Sequence, residues 1–296
     1  MSWYTGKSAL VGIAIGDSNM VGVGGFEIGV QSVNGAVQCY ATSATIPYDP
    51  AELAWQNLDP NGTSRYAQMY ETLVTQQTSY IGQVLGGNGA AAMQMADTIQ
   101  RGTACDAFYL YQQAQGGTDA NNWANGDNWD TMLAELPGAL ASIPGAPTYA
   151  DVIYISLGGN DFLGAFNNPP VRYTGEQFYA NMKTLRDKMV DQGWWVPGTT
   201  QIVLGDIFRS SAFYEPWYGL DYVRTRFNDR ITLISSVGAS YLDEFLDVHF
   251  TPASLTAMGR KAGEQVLAQI PKQRSTVSIG GTRVSIGGKK LLVHPA

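Results

Sequence analysis

The sequence has 296 residues, enough for one large domain or two small ones with a sizeable buried core. Only 15% of the residues are charged and 11% are aromatic, a balance typical of a compact globular protein and not of a disordered one. The formal net charge of −7, without a basic stripe, argues against binding to nucleic acid or to an anionic membrane surface.

Short apolar runs that end at glycine or polar residues predict five buried strands. These strands cover residues 10–15, 107–112, 152–157, 201–204 and, as a short fifth strand, 239–242. Apolar residues at helical spacing predict helices over residues 90–100, 178–192 and 222–236, and a last helix after Thr251. Strands that alternate with helices indicate an α/β fold, a doubly wound parallel sheet with helices on both faces.

Two of the predicted helices have clear start signals. Thr174 and Gln177 have the spacing of a capping box just before the helix over residues 178–192. Thr251 is a good N-cap and Pro252 suits the first helical position, so we expect the last helix to begin there.

Two regions do not follow this alternation. Residues 23–89 are rich in Gly, Thr, Asn, Gln and Tyr, and we expect an elaborated excursion there, partly helical over residues 64–83. In the tail, Val277-Ser-Ile-Gly-Gly281 recurs as Val284-Ser-Ile-Gly-Gly288, which predicts a small β appendage. We therefore expect a main domain over residues 1–270 and a tail over 271–296. The tail either packs on its own domain or serves self-association or docking.

Four short polar stretches follow predicted strands or precede the last helix. They are Gly16-Asp17-Ser18, Gly116-Gly117-Thr118, Gly158-Gly159-Asn160-Asp161 and Asp247-Val248-His249. The carboxyl ends of parallel strands meet at one edge of the sheet, and ligands of open α/β folds bind at that edge. The sequence therefore predicts a site formed by these stretches.

Ser18, His249 and Asp247 supply the residue types of a nucleophile and its base. A serine hydroxyl is a weak nucleophile until a base takes its proton. Of the two histidines, His294 is third from the end, so His249 is the candidate base. Asp247 could hold the imidazole in the right tautomer. The plainer interpretations are that Ser18 caps a helix and that His249 is structural.

Acyl transfer also needs hydrogen-bond donors that face the oxyanion of the tetrahedral intermediate. The Gly116 backbone N–H and the Asn160 side-chain amide are two candidates, and the Ser18 N–H is a third. Each stretch taken alone could be an ordinary turn. Their order and their common placement favour acyl transfer.

These stretches resemble the four blocks of the SGNH hydrolase superfamily, also called GDSL esterases and lipases, which centre on Ser, Gly, Asn and His. The match spans most of residues 9–270 and includes Gly259, ten residues after the histidine. The resemblance implies a flavodoxin-like five-stranded parallel sheet. It also implies that Ser18 is the nucleophile, His249 the base, and Gly116 and Asn160 the oxyanion donors.

Three details are similar to the sialate O-acetylesterase or carbohydrate acetylesterase branch of that superfamily. They are Ser18-Asn19-Met20-Val21-Gly22, Ala114-Gln115-Gly116-Gly117-Thr118 with Trp123 downstream, and His249-Phe250-Thr251. The chain departs from the branch at two places. The branch usually has Gln where this chain has Asp17, and it has a Gln-Gly-Glu type of block where this chain has Gly-Gly-Asn-Asp.

The position of the acid is a further departure. The superfamily's acid lies three residues before the histidine, and this chain has Leu246 there. Asp247 is the predicted acid, and Asp243, Glu244 or a backbone carbonyl are alternatives. The altered spacing is also compatible with a weakened or lost activity.

The leading hypothesis is a serine esterase that removes O-acetyl groups from a carbohydrate through an acyl-enzyme, without a metal or organic cofactor. A lipase or thioesterase is one alternative, although no apolar lid-like segment is visible near the site. The other is a catalytically inactive glycan-binding or structural module, for example of a virion surface or tail. Five aromatic residues near the blocks could stack on sugar rings or simply pack: Trp123, Trp129, Phe162, Tyr214 and Trp217.

The start of the chain lacks the charged and apolar regions of a signal peptide, and no apolar run is long enough to span a membrane. We expect a cytoplasmic or a leaderless, virion-associated protein. The expected partner is an acetylated carbohydrate, with no nucleic acid and no membrane.

Overall fold

The computed structural model describes residues 7–21, 37–40, 55–57, 91–103, 105–163, 173–205, 216–227, 229–241, 249–270, 275–279 and 282–286. The strands are β1 (Ala9–Gly16), β2 (Val37–Tyr40), β3 (Trp55–Asn57), β4 (Ala107–Ala114), β5 (Val152–Ser156), β6 (Gln201–Gly205), β7 (Arg230–Ile234), β8 (Ser275–Ile279) and β9 (Thr282–Ile286). The helices are α1 (Ser18–Val21), α2 (Ala91–Thr103), α3 (Ala120–Asn125), α4 (Asp127–Ser142), α5 (Gly159–Leu163), α6 (Gly175–Asp191), α7 (Pro216–Arg226) and α8 (Pro252–Ala268).

The main sheet has the strand order β3-β2-β4-β1-β5-β6-β7. The strands β4-β1-β5-β6-β7 are all parallel, and their order is that of a flavodoxin-like sheet. β2 adds a further parallel strand beside β4, and β3 pairs with β2 in the antiparallel sense. The predicted doubly wound α/β fold is therefore confirmed, with two short strands added at the β4 edge.

The central strands are buried on both sides. Every residue of β1 from Leu10 to Gly16 is buried, and so is every residue of β6. Continuous burial means that both faces of the sheet are covered, as in parallel sheets generally. Two groups of packed helices provide the cover: α2 with α8, and α3 with α4 and α6, to which α7 is added.

The α2–α8 contact is close because glycines line it. A Cβ atom at Gly259 would lie 2.2 Å from the carbonyl oxygen of Ala91. A Cβ atom at Gly263 would lie 2.5 Å from the Cβ of Thr98. Since real Cβ contacts are longer than 3 Å, the two helix backbones can approach this far only where side chains are absent.

Both predicted start signals are confirmed. In α6, the Gln177 N–H donates to the Thr174 hydroxyl at 3.2 Å, and the Thr174 N–H donates to the Gln177 side-chain oxygen at 2.8 Å. In α8, Pro252 is in the first turn and the Thr251 hydroxyl accepts from the Ser254 N–H at 3.3 Å. Helix α8 thus begins three residues after His249.

Two of the predicted elements are wrong. The helix predicted over residues 222–236 ends at Arg226, and β7 occupies the second half of that range. Of the strand predicted over residues 239–242, the described residues 239–241 do not join the sheet. Instead, Tyr241 forms an isolated antiparallel bridge with Phe250.

The first of these errors, the helix extended over β7, has a physical cause. β7 is the last strand of the sheet and its first four residues are exposed or half-buried, so it lacks the continuous apolar run of a central strand. Val223, Phe227 and Ile231 recur every four residues across the end of α7 and the start of β7. That spacing matches the helical period, so the sequence pattern predicts a continuous helix where the chain changes from α7 to β7.

The repeat in the tail forms the predicted β appendage. β8 and β9 pair in the antiparallel sense as a separate two-stranded sheet, with Val277 opposite Val284. The domain boundary at residue 270 and the role of the tail in self-association stay predictions. The helix predicted over residues 64–83 lies outside the described residues. Among the helices that are described, none has both the length and the apolar character needed to cross a membrane.

Candidate active site

The strand order reverses at β1, which lies between β4 and β5. This is the topological switch point, where the loops after neighbouring strands leave a crevice. Two backbone hydrogen bonds hold these loops together. The Asp17 N–H donates to the Ser156 carbonyl at 3.0 Å, and the Gln115 N–H donates to the Gly16 carbonyl at 3.0 Å. The first three polar stretches therefore share one edge of the sheet.

Asp17 caps the short helix that begins at Ser18. Its carboxylate accepts from the Asn19 N–H at 3.0 Å and also from the Gly159 N–H in the third stretch. Burial raises the pKa of Asp17 to about 7, although these N–H donors act to lower it. Because Asp17 fills the capping role, the turn does not need Ser18 as its cap.

Asn19 connects the turn to the segment that contains His249. Its side-chain oxygen accepts from the Phe250 N–H at 3.1 Å, between residues 231 positions apart in the chain. The Phe250 ring stacks on Tyr241 with 5.1 Å between the centroids, and the Thr251 N–H donates to the Ser240 carbonyl at 2.9 Å. His249 itself is half-buried beside these contacts.

Asn160 lies at the start of α5 and connects the second and third stretches. It is 8% exposed, and its amide donates to the Thr118 carbonyl at 2.9 Å. A side-chain amide carries two hydrogens, so this bond uses one of them. One glycine in each of these two stretches has a positive φ, a backbone conformation that favours glycine: 76° at Gly117 and 119° at Gly158.

Asp161 makes a second connection between the same stretches. It is fully buried, and both carboxylate oxygens accept from the Ala120 N–H at 3.1 Å. Burial raises the pKa of Asp161 well above its ordinary value, and the charges of Asp119 and Asp17 act in the same direction. The carboxylate thus fixes the loop that carries Gly116 relative to the helix that carries Asn160.

No family model and no curated protein matches this sequence. Solved structures do share its fold. A protein from Arabidopsis thaliana superposes with a TM-score of 0.61 at 14% identity, over 89% of this chain and 99% of that chain. The TM-score with NanS is 0.57 at 12% identity, over 90% of this chain and 98% of that chain. The TM-score with a GDSL-like lipase from Parabacteroides merdae is 0.50 at 13% identity, over 89% of this chain and 99% of that chain.

The chain has the SGNH hydrolase fold. The resemblance seen in the four stretches is therefore matched by the fold of the main domain. At these identities the comparison concerns the fold alone, and the roles of individual residues depend on their geometry in this chain.

The structure places Ser18, Gly116 and Asn160 at one edge of the SGNH sheet, and the Asn19–Phe250 hydrogen bond brings the His249 segment to that edge. Asp247 and the alternative acids Asp243 and Glu244 lie outside the described residues. The catalytic roles of all these residues stay predictions.

Three of the five aromatic residues near the blocks pack in the core. Trp123, Trp129 and Phe162 are at most 7% exposed, so of the two alternatives given for them, stacking on sugar rings or packing, the structure supports packing. Tyr214 lies outside the described residues, and of Trp217 only its place in α7 is described. Within the described part of the chain, no cluster of His, Cys, Asp or Glu side chains could hold a metal ion.

Sequence reasoning missed three residues that shape the site of this SGNH fold: Asp17, Asn19 and Asp161. The motifs that contain all three residues were recognised, but the hydrogen-bond partners that connect the stretches lie elsewhere in the chain. The Gly-Asp-Ser, Ser-Asn-Met and Gly-Gly-Asn-Asp patterns were the available signals. They mark the three positions without saying what each side chain contacts.

Proposed function

We propose that this protein is a serine ester hydrolase that removes O-acetyl groups from a carbohydrate. The observation that carries the proposal is the Asn19–Phe250 hydrogen bond of 3.1 Å, because it joins the residues that directly follow Ser18 and His249. The bond brings the segment of His249 to the turn of Ser18 at the switch point of the sheet, which supports a pairing of these two residues as base and nucleophile.

The reaction would proceed by two displacements. The Ser18 oxygen attacks the acetyl carbonyl carbon while His249 takes the hydroxyl proton. The Ser18 and Gly116 N–H groups and the second hydrogen of the Asn160 amide donate to the oxyanion. The intermediate then collapses: the bond to the sugar oxygen breaks, His249 protonates that oxygen, and the acetyl-enzyme remains.

Water hydrolyses the acetyl-enzyme in the second half of the reaction. His249 takes a proton from the water, the resulting hydroxide attacks the acetyl carbon, and the same oxyanion donors act again. Acetate leaves when the bond to the Ser18 oxygen breaks and His249 returns the proton to that oxygen. Asp247 would hold the imidazole in the required tautomer throughout.

The choice of an acetylated sugar rests on sequence details. The Ser18-Asn19-Met20 stretch, the Gly-Gly-Thr stretch and the His249-Phe250-Thr251 stretch are similar to the carbohydrate acetylesterase branch. The GDSL-like lipase among the structural neighbours has the same fold, so the fold by itself supports an ester hydrolase without selecting the acyl chain.

One observation favours a second candidate, a glycan-binding module without turnover. Leu246 stands where the superfamily has its acid, and a base without a correctly placed acid is a poor base. Such a module would bind the acetylated glycan and leave it intact.

The test is the hydrolysis of an aryl acetate, an aryl octanoate and an acetylated polysaccharide by the wild type and by Ser18→Ala. We expect Ser18→Ala to lower kcat by about 10³-fold or more, as for other triad nucleophiles. Ser142→Ala is the matched control, since Ser142 is an exposed residue at the end of α4. Equal rates for the wild type and Ser18→Ala would refute the proposal. Binding of the polysaccharide without turnover would favour the module, and preference for the octanoate would favour a lipase.

A further inference from the structure

We propose that Asn19 is a positioning residue that sets His249 against Ser18 by holding the Phe250 backbone. The inference rests on the proposed function, because it assigns Asn19 a part in the same reaction. Asn19 makes none of the predicted contacts with the substrate, and it acts through the residue next to the base.

The first argument is the geometry of the bond. Asn19 is 8% exposed and Phe250 is 1% exposed, so the 3.1 Å hydrogen bond between them is shielded from water. A buried N–H without a partner is unfavourable, so the Phe250 peptide is held where the Asn19 oxygen can accept from it. Since His249 is the next residue, its backbone position is fixed as well.

The second argument is that Asn19 is itself anchored. Its backbone N–H donates to the Asp17 carboxylate at 3.0 Å, and that carboxylate also accepts from the Gly159 N–H next to Asn160. The residues on both sides of Ser18 therefore belong to one rigid network. Through these hydrogen bonds, Asn19 links the His249 segment to the network that also holds the turn of Ser18 and the loop beside Asn160.

The third argument concerns the other contacts of the segment. The Tyr241–Phe250 stack and the hydrogen bond from the Thr251 N–H to the Ser240 carbonyl hold the segment against residues 240–241. Neither contact reaches α1. The Asn19 side chain supplies a direct hydrogen bond between the two parts. A shift of about 1 Å between base and nucleophile can cost 10²-fold in rate.

Two variants separate the hydrogen bond from the shape of the side chain. Asn19→Leu keeps the number and branching of the side-chain heavy atoms and removes the acceptor, whereas Asn19→Asp keeps an acceptor oxygen. We expect Asn19→Leu to lower kcat by about 10- to 100-fold with KM nearly unchanged, because the base is misplaced and substrate binding is not. Asn19→Asp should recover most of that loss. Asn125→Leu, at an exposed position in α3, is the control and should keep the wild-type kcat.

Hydrogen exchange at the Phe250 amide gives a readout that is independent of activity. We expect Asn19→Leu to increase exchange at that amide at least tenfold while amides of the central strands stay protected. If Asn19→Leu does not fold, Asn19→Ala replaces it, with the same two readouts.

The inference is overturned if the Asn19→Leu variant keeps wild-type kcat, or if its Phe250 amide exchanges as slowly as in the wild type. Absence of turnover in the wild type would instead defeat the proposed function. In that case the exchange measurement still decides whether Asn19 positions the His249 segment.

Discussion

Replacement of Gly259 by alanine tests how closely α8 must approach α2. The new Cβ atom would lie 2.2 Å from the Ala91 carbonyl oxygen and 2.7 Å from the Gln94 Cβ. Ordinary contacts to a Cβ begin near 3.4 Å, so the two helices must separate locally by about 1 Å. The nearest atom belongs to the backbone and cannot rotate away.

The expected cost follows from two opposing effects. Overpacking costs about 1–3 kcal/mol, and a clash with backbone at 2.2 Å belongs to the upper part of that range, about 2–3 kcal/mol. Alanine is favoured over glycine in a helix by about 1 kcal/mol, which offsets part of that cost. We therefore expect Gly259→Ala to lower the free energy of unfolding by about 1–2 kcal/mol, or a few degrees in Tm. Because His249 lies just before α8, kcat for the hydrolysis of an aryl acetate should also fall, by about tenfold or more.

Gly138→Ala is the matched control for the assay, which is urea unfolding of both variants beside the wild type. Gly138 is an exposed glycine inside α4, and a Cβ atom there would meet nothing within 4 Å. We expect that variant to gain about 0.5–1 kcal/mol, since only the helix preference acts. A Gly259→Ala midpoint equal to or above that of the wild type would refute the reasoning.

The remaining predictions concern buried charge. The pKa of Asp17 is raised by burial to about 7, above its unfolded value, so its contribution to stability is full below about pH 4 and is lost as the pH rises through 7. Urea unfolding across this range should show a shallower decline for Asp17→Asn, and parallel pH profiles for the two proteins would contradict the assignment. Lys7→Ala leaves the buried Asp151 carboxylate without the ammonium group 2.6 Å away. We expect a loss of about 2 kcal/mol, below the value for a fully buried pair because Lys7 is partly exposed. Glu176→Ala breaks an exposed pair with Arg226 and should leave the unfolding midpoint unchanged. Equal losses of stability for Lys7→Ala and Glu176→Ala would show that burial of the pair does not cause the loss.

Local signals in the sequence predicted most of the fold. The runs at residues 10–15 and 152–157 are apolar at nearly every position, as a strand covered on both faces requires. The Thr174–Gln177 capping box depends on residues three apart, so its spacing could be read directly. β7 was missed because an edge strand needs fewer apolar residues. β2 and β3 were missed because they are short pieces inside a polar excursion.

The site was less predictable, because its connections are long-range. The strand ends predicted where Ser18 and Asn160 would lie, since their position depends only on the order of the sheet. The contact of Asn19 with Phe250 spans 231 positions, and that of Asp161 with Ala120 spans 41. No spacing within one sequence reports such pairs. Their partners follow only once the chain has folded.

The α2–α8 contact also constrains when the protein can fold. α2 ends at Thr103, whereas its packing partner begins at Pro252, so about half of the chain is synthesised between the two helices. Until α8 has left the ribosome, the sheet face on which α2 packs lacks one of its two covering helices. The His249 segment also cannot yet form its hydrogen bond with Asn19 in α1. Contacts of such wide sequence separation are typical of slow folding steps. The turn that contains Ser18 is thus among the first parts to be translated and among the last to be completed.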